Sequence, residues 1–112
     1  MHDCIFCKII RGEIPANKLH EDDDVLAFWD ISPQAPKHFL VIPKKHIAAP
    51  DAMTPADEAL IGRVTRKAAE LAAANGIPEC RLVMNNGAAA GQTVFHLHMH
   101  VLGGRPLTWP PG

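Results

Sequence analysis

The sequence predicts one α+β domain over residues 1–112, built on a five-stranded antiparallel meander sheet with one long and one short helix. Three observations predict it. Five short apolar segments are separated by proline, glycine or acidic turns, whereas one stretch in the second half keeps sustained helical spacing. The chain, at 112 residues, is long enough for one core and too short for two. It contains neither internal repeats nor a low-complexity segment.

Cys4 to Arg11 alternates apolar and basic residues ahead of Gly12, which suits a short helix with a glycine stop, and Pro15 prevents the helix from resuming. Lys18 to His20 and Val25 to Asp30 read as two strands joined by the solvated acidic turn Glu21-Asp22-Asp23-Asp24. Ser32-Pro33-Gln34-Ala35-Pro36 is a rigid connector, after which His38 to Ile42 forms a third strand that Pro43 ends. Thr54-Pro55-Ala56-Asp57 opens the long helix with a hydroxyl cap, a proline where no N–H is needed and an acid in the first turn. Leu60, Ile61, Val64, Ala68, Leu71 and Ala72 recur at helical spacing, and Asn75-Gly76-Ile77-Pro78 stops the run. Arg81 to Asn85 and Phe95 to Leu102 are the last two strands, on either side of the glycine- and alanine-rich loop Asn86 to Gln92. Cys80 reads as an ordinary strand residue. Residues 103–112, with three prolines and Trp109, form a C-terminal tail that lies across a surface. A sheet edge and an apolar helix stripe are left uncovered, and a symmetric homodimer that extends the sheet would cover them.

Composition excludes several function classes. Hydrophobic residues are 47% and charged residues 21%, as in an ordinary globular domain. A formal net charge of -1 gives no field for nucleic acid or for an anionic membrane, so any phosphate contact must be local. No apolar run reaches membrane-spanning length, and Met1-His2-Asp3-Cys4 lacks the basic and apolar regions of a secretory signal, so the expected compartment is the cytoplasm. Three cysteines are an odd number and make a closed disulfide framework a poor fit.

The chemistry concentrates in His96-Leu97-His98-Met99-His100, which holds three of the seven histidines. On a strand the period of two puts all three rings on one face, with Leu97, Met99 and Val101 turned to the helix-covered core. Immediately upstream, Gly91-Gln92-Thr93 offers close backbone approach, an amide and a hydroxyl, enough to hold phosphate oxygens without lysine. Asn85 faces this loop, either as a donor to a leaving group or as a strand-ending turn residue. His38 opens a strand expected beside the histidine row, where it can hold one imidazole in a single tautomer. Asp30 can accept ribose hydroxyls or cap the turn before Ser32-Pro33; spacing leaves both open.

These motifs together resemble the histidine triad (HIT) superfamily, specifically its Hint branch of purine nucleoside phosphoramidases. The similarity runs from Cys4-Ile5-Phe6 through Gly12-Glu13-Ile14-Pro15-Ala16, Asp30-Ile31-Ser32-Pro33-Gln34-Ala35-Pro36 and His38-Phe39-Leu40-Val41-Ile42-Pro43-Lys44-Lys45-His46. It continues through Gly91-Gln92 and the histidine row to Trp109-Pro110-Pro111-Gly112. The resemblance implies a HIT-like fold and a homodimer. His98 would be the nucleophile that forms a transient nucleotidyl-histidine, with His96 and His100 orienting it and contacting phosphate and His38 supporting them. Asp30 and the Ile31 backbone would take the ribose, and Phe6, Ile9, Ile14, Phe28 and Leu40 would enclose the base. Asn85, Gly91, Gln92 and Thr93 would surround the phosphate, and Trp109 would reach toward the other subunit's site to set leaving-group selectivity. Thr93 stands where the family often has serine, Ala88, Ala89 and Ala90 replace more polar loop residues, and Trp29 is a further departure.

The expected substrate is therefore a purine nucleotide, AMP carried as a phosphoramidate, and the expected reaction is hydrolysis of its P–N bond. An imidazole is a competent neutral nucleophile near pH 7, and loop N–H groups with the Thr93 hydroxyl can meet the phosphoryl charge, so catalysis needs no cofactor. Dinucleoside polyphosphate hydrolysis, nucleotidyl transfer and a nucleotide-binding or scaffolding module with incidental turnover are the competing readings. Cys4-x-x-Cys7 has the spacing of half a zinc site that His46 and His96 would complete as a structural centre, with two thiols packed on the sheet as the plainer alternative.

Overall fold

A computed structural model describes residues 4–112; Met1 to Asp3, part of the leader reading, lie outside the described residues. The elements in chain order are helix α1 (Ile5–Ile10), strands β1 (Lys18–Glu21), β2 (Val25–Trp29) and β3 (Lys37–Pro43), helix α2 (Glu58–Ala74), and strands β4 (Cys80–Val83) and β5 (Met99–Gly103). All neighbours are antiparallel, in the order β1-β2-β3-β5-β4. The first three strands form a meander. The α2 excursion then carries the chain two strand positions past β3, and β5 fills the gap, so the meander is interrupted once.

Both faces of the central strands are buried, which is why β2 and β3 read as nearly continuous apolar runs. Val25, Ala27, Phe39, Val41, Met99 and Val101 face α2, where Val64, Ala68 and Ala72 make a fully buried stripe four residues apart. Leu26, Phe28, Leu40 and Ile42 face the other way and pack on Phe6 and Ile9 of α1. The sheet is thus a middle layer, and the period of two sends alternate residues to different helices.

The punctuation residues act as their chemistry dictates. Asp57 accepts the Thr54 N–H at 2.9 Å in a capping box, Gly76 closes α2 with φ +80°, and Gly12 closes α1 with φ +78°. The acidic turn is more than solvated: Asp22 accepts the N–H groups of Asp24 and Val25 at 2.8 and 2.9 Å. His20 beside it, and after it those N–H donors, lowers the Asp22 carboxyl to about 2.

The last strand is shorter than its apolar pattern suggests. Ladder pairing begins at Met99, not Phe95, because Val94 to His98 is held by contacts to other loops: the Leu97 N–H donates to Ile47 O at 2.6 Å. Strand β4 likewise ends at Val83, leaving Asn85 in the turn beyond it. Among the described residues no helix is long and apolar enough to cross a membrane.

Candidate active site

On the α1 side of the sheet lies a cavity of about 390 Å³. Phe6 and Ile9 of α1, Ile14 after it, and Phe28 and Leu40 of the sheet form its apolar wall, while Asp30, Ile31, Thr93, His98 and His100 form the polar end. These ten residues were expected together and are brought together. Ile5, Ala16, Asn17 and Val94 also line it without having been singled out; the signal available was that Ala16 and Asn17 come after Pro15, where the chain must turn back across α1. A cleft of equal volume between Asp22–Asp24 and Arg63, Arg66 and Lys67 of α2 holds opposite charges and no imidazole.

Several expected residues lie elsewhere. His96 is fully buried and does not line the cavity; its ring lies on the same side of the sheet as that of His98, beneath α1, with Phe6 edge-on to both. The Gln92 amide, expected at phosphate, is turned inward. Its Oε1 accepts the Gly87 N–H at 2.9 Å, and its Nε2 donates to Ala48 O and Val94 O at 2.8 and 3.0 Å. It therefore braces the loop that presents Thr93. Gly91 has φ +103°, a backbone state that favours glycine, and sits against the half-buried Asn85; neither lines the cavity. Trp109 is 81% exposed in the tail. Trp29 borders the cavity, while its ring packs on the α2 face, edge-on to Phe39 at 5.7 Å.

The hydrogen bonds dictate where each imidazole proton sits. A main-chain N–H can only donate, and that of Gln34 donates to His38 Nδ1 at 3.0 Å. Neutral His38 therefore carries its proton on Nε2, which donates to His100 Nδ1 at 2.9 Å. His100 in turn carries its proton on Nε2. A carbonyl can only accept, so His98 donates from Nδ1 to His96 O at 2.7 Å and keeps the lone pair on Nε2. By the same rule His96 donates from Nε2 to Pro43 O at 2.7 Å and keeps its lone pair on Nδ1. Burial lowers the affinity of all four rings for a second proton, taking His96 and His100 to about 4 and pushing His38 and His98 down as well. Asp30 caps the turn, its Oδ1 accepting the Ser32 N–H at 2.7 Å, while Oδ2 lies 3.5 Å from His38 Nε2.

The His96 lone pair meets the CxxC motif. Cys4 Sγ lies 3.5 Å and Cys7 Sγ 3.6 Å from His96 Nδ1, His46 Nδ1 lies 3.3 Å from Cys7 Sγ, and the two Nδ1 atoms are 3.2 Å apart. All four ligand atoms fall within 4.8 Å of one another. A tetrahedral zinc with ordinary bond lengths needs N···N edges of about 3.3 Å and S···N edges of about 3.6 Å, so these residues fit one. Asp30, His38 and His100 also cluster, but there a proton already occupies the space between the two nitrogens. That cluster is a hydrogen-bonded chain.

An antiparallel sheet carrying a row of neutral imidazoles beside an apolar cavity defines a class of protein that fold and sequence comparisons recognise. The HIT domain family model matches residues 11–107, and the chain belongs to that family. It is 60% identical over 111 residues to an uncharacterised HIT-like protein of Synechocystis, covering 98% of this chain and 97% of that protein. It superposes on the crystal structure of a HIT family hydrolase from Legionella pneumophila with a TM-score of 0.96 at 51% identity, over 98% of this chain and all of that one (100%). A zinc-bound histidine triad family protein from Mycobacterium smegmatis is similar at a TM-score of 0.80 and 36% identity, over 93% of this chain and 76% of that one. The chain thus has the fold of the HIT family hydrolases.

Proposed function

We propose that the protein is a Hint-type purine nucleoside phosphoramidase that releases AMP from adenosine 5'-phosphoramidate, by cleaving its P–N bond, or from an aminoacyl- or lysyl-AMP, through a covalent nucleotide on His98. The observation that carries this reading is the pair of proton positions at the polar end of the cavity. His98 carries a lone pair on Nε2, and its neighbour His100, with ring centroids 4.9 Å apart, carries an N–H on Nε2. One ring is a nucleophile and the other a donor.

In this mechanism the base lies among Phe6, Ile9, Ile14, Phe28 and Leu40, and Asp30 with the Ile31 backbone meets the ribose. His98 Nε2 attacks the α-phosphorus; the N–P bond to His98 forms as the P–N bond to the amine breaks, and the leaving nitrogen takes a proton from water. His98 Nδ1–H stays on His96 O, which stabilises the positive ring that attack creates. His100 Nε2–H and the Thr93 hydroxyl hold phosphoryl oxygens, and water then attacks phosphorus and returns the lone pair to His98. Zinc on Cys4, Cys7, His46 and His96 would supply structural cross-linking, outside the reaction. A homodimer would bring the Trp109 tail of one subunit to the leaving-group side of the other.

Phosphorus NMR of the protein with adenosine phosphoramidate, adenylated lysine and a dinucleoside polyphosphate tests the reading. The P–N substrates are expected to turn over fastest, with a nucleotidyl adduct trapped on His98. Faster cleavage of the polyphosphate would move the protein to another reaction of its superfamily, and binding without turnover would make it a nucleotide-binding module.

A further inference from the structure

We propose that a second hollow, joined to the nucleotide cavity along Ile5, Thr93 and Val94, receives the leaving group and selects amines with an apolar or aromatic tail. The inference rests on the reading above for the nucleotide cavity and His98, and its binding readouts require no turnover.

The hollow has a volume of about 440 Å³, and Ala48 and Phe95 complete its apolar wall. Ile5, Thr93 and Val94 line both spaces, whereas His98 and His100 line only the first. Thr93, whose hydroxyl holds a phosphoryl oxygen in the mechanism above, therefore stands at the junction. The base and ribose occupy the apolar wall and the Asp30–Ile31 edge of the first cavity. The substituent that leaves phosphorus extends from the phosphate end, and the adjoining space past Thr93 is this hollow. When the P–N bond breaks and the nitrogen takes its proton from water, the free amine departs from there.

The lining dictates what kind of amine fits. Among the described residues, Ile5 at 45% and Phe95 at 49% are two of the five large hydrophobic side chains left exposed, and both stand on this hollow. Alternation groups Phe95 with Leu97, Met99 and Val101, which are buried, yet Phe95 belongs to neither packed cluster of the sheet. Apolar side chains that the core does not use, gathered in one concavity, form a surface for a ligand. No lysine, arginine or carboxylate lines it, and Cys4 Sγ and His46 Nδ1 are turned to His96. A phenyl or aliphatic tail entering here sheds apolar area from water, whereas a charged tail loses hydration and meets no ion partner.

Two series of adenosine compounds test this, each carrying a methyl, a phenethyl or a 4-aminobutyl tail on nitrogen. The 5'-phosphoramidates are read by kcat/KM, and the 5'-O-sulfamoyl analogues, which have no phosphorus to attack, by calorimetry. The phenethyl compound is expected to be favoured roughly tenfold or more over both others in each series, with its tail moving the amide shifts of Ala48, Val94 and Phe95. Phe95→Ala is expected to bring the phenethyl-to-methyl ratio to within about threefold of one. Phe95→Glu, which adds a carboxylate to the hollow, is expected to raise 4-aminobutyl relative to phenethyl by roughly tenfold. Ratios taken within one variant do not depend on its folded fraction. Equal preference for the three tails, or a phenethyl preference that survives Phe95→Ala, overturns the proposal. If Phe95→Ala changes the particle mass in light scattering and leaves the preference intact, this face is an interface between copies and the proposal fails. Phenethyl-selective binding without P–N cleavage defeats the proposed activity and leaves this inference standing, and cleavage without selectivity does the reverse.

Discussion

Two histidine clusters lie on one side of the sheet, and they differ in where their protons are. In the cluster of Cys4, Cys7, His46 and His96, the His96 lone pair is turned toward two thiols and a second imidazole because Pro43 O already holds its proton. In the cluster of Asp30, His38 and His100, an N–H lies between the rings because Gln34 supplies the donor that sets His38. The residue types are similar and the spacings alike; one main-chain contact on each decides between a metal ligand set and a proton-bearing chain. His98 stands between them, its Nδ1 bound to a member of the first and its ring beside a member of the second.

The largest effect that sharpens this contrast is at His98 itself. His98→Ala is expected to lower P–N hydrolysis by roughly 10⁴-fold or more, since it removes the covalent route, while AMP still binds the base and ribose contacts. Single-turnover kinetics and calorimetry check both halves; substantial residual turnover would return the chemistry to a different residue.

Next in size is a crossed pair. Zinc at a thousandfold excess over its dissociation constant is expected to stabilise the chain by about 4 kcal/mol, read as a rise in melting temperature. His96→Ala should abolish that response, and His38→Ala should keep it while lowering turnover roughly 10–100-fold. A zinc response lost in both variants would mean that the clusters are one unit and that the distinction drawn from proton positions is wrong.

Much of this was legible before any coordinates. Alternation around Leu97, Met99 and Val101 gave the buried face, and the CxxC spacing with His46 and His96 gave the ligand set that the geometry assembles. What could not be read was how side chains divide between chemistry and architecture. Nothing in the residue type Gln92 says that its amide meets three main-chain groups within the protein, nor that Val94 to His98 would lie outside the ladder. Periodicity reports which side of a strand a residue takes, not where ladder pairing begins. The rank of β5 between β3 and β4 is hidden for a related reason: local pattern predicts that strands exist, whereas their order depends on where α2 delivers the chain.

Acid separates the clusters by a smaller amount. Partial burial, with His98 and His38 beside it and against the opposing pull of Asp30, lowers His100 from 6.5 to about 4, so the folded state favours its neutral form. Its contribution is present above pH 6.5 and is lost as pH falls from there toward about 4, because the unfolded chain takes up the proton first. Discounted for partial exposure of the ring, the loss between pH 7 and 5 is on the order of 1 kcal/mol. Urea unfolding of the zinc-loaded chain at the two pH values measures it, and His100→Asn is expected to reduce the slope. An unchanged slope would show that His100 is not the group that titrates.

The smallest expected effect comes from Gln34. Its side chain donates only to Ser32 O on the surface, whereas its main-chain N–H is what sets His38. Gln34→Ala should therefore leave turnover within about threefold and stability within about 0.5 kcal/mol, as for an ordinary surface substitution. Gln34→Pro deletes the N–H itself and frees His38 Nδ1 to carry the proton, which removes the donor to His100 Nδ1 and leaves the His100 proton free to move between its nitrogens. Nitrogen shifts of His100 should remain those of a single Nε2–H tautomer in the alanine variant and average in the proline variant. If alanine disturbs them as much as proline does, the side chain matters after all, and the single main-chain contact no longer explains why this cluster keeps a proton where the other presents lone pairs.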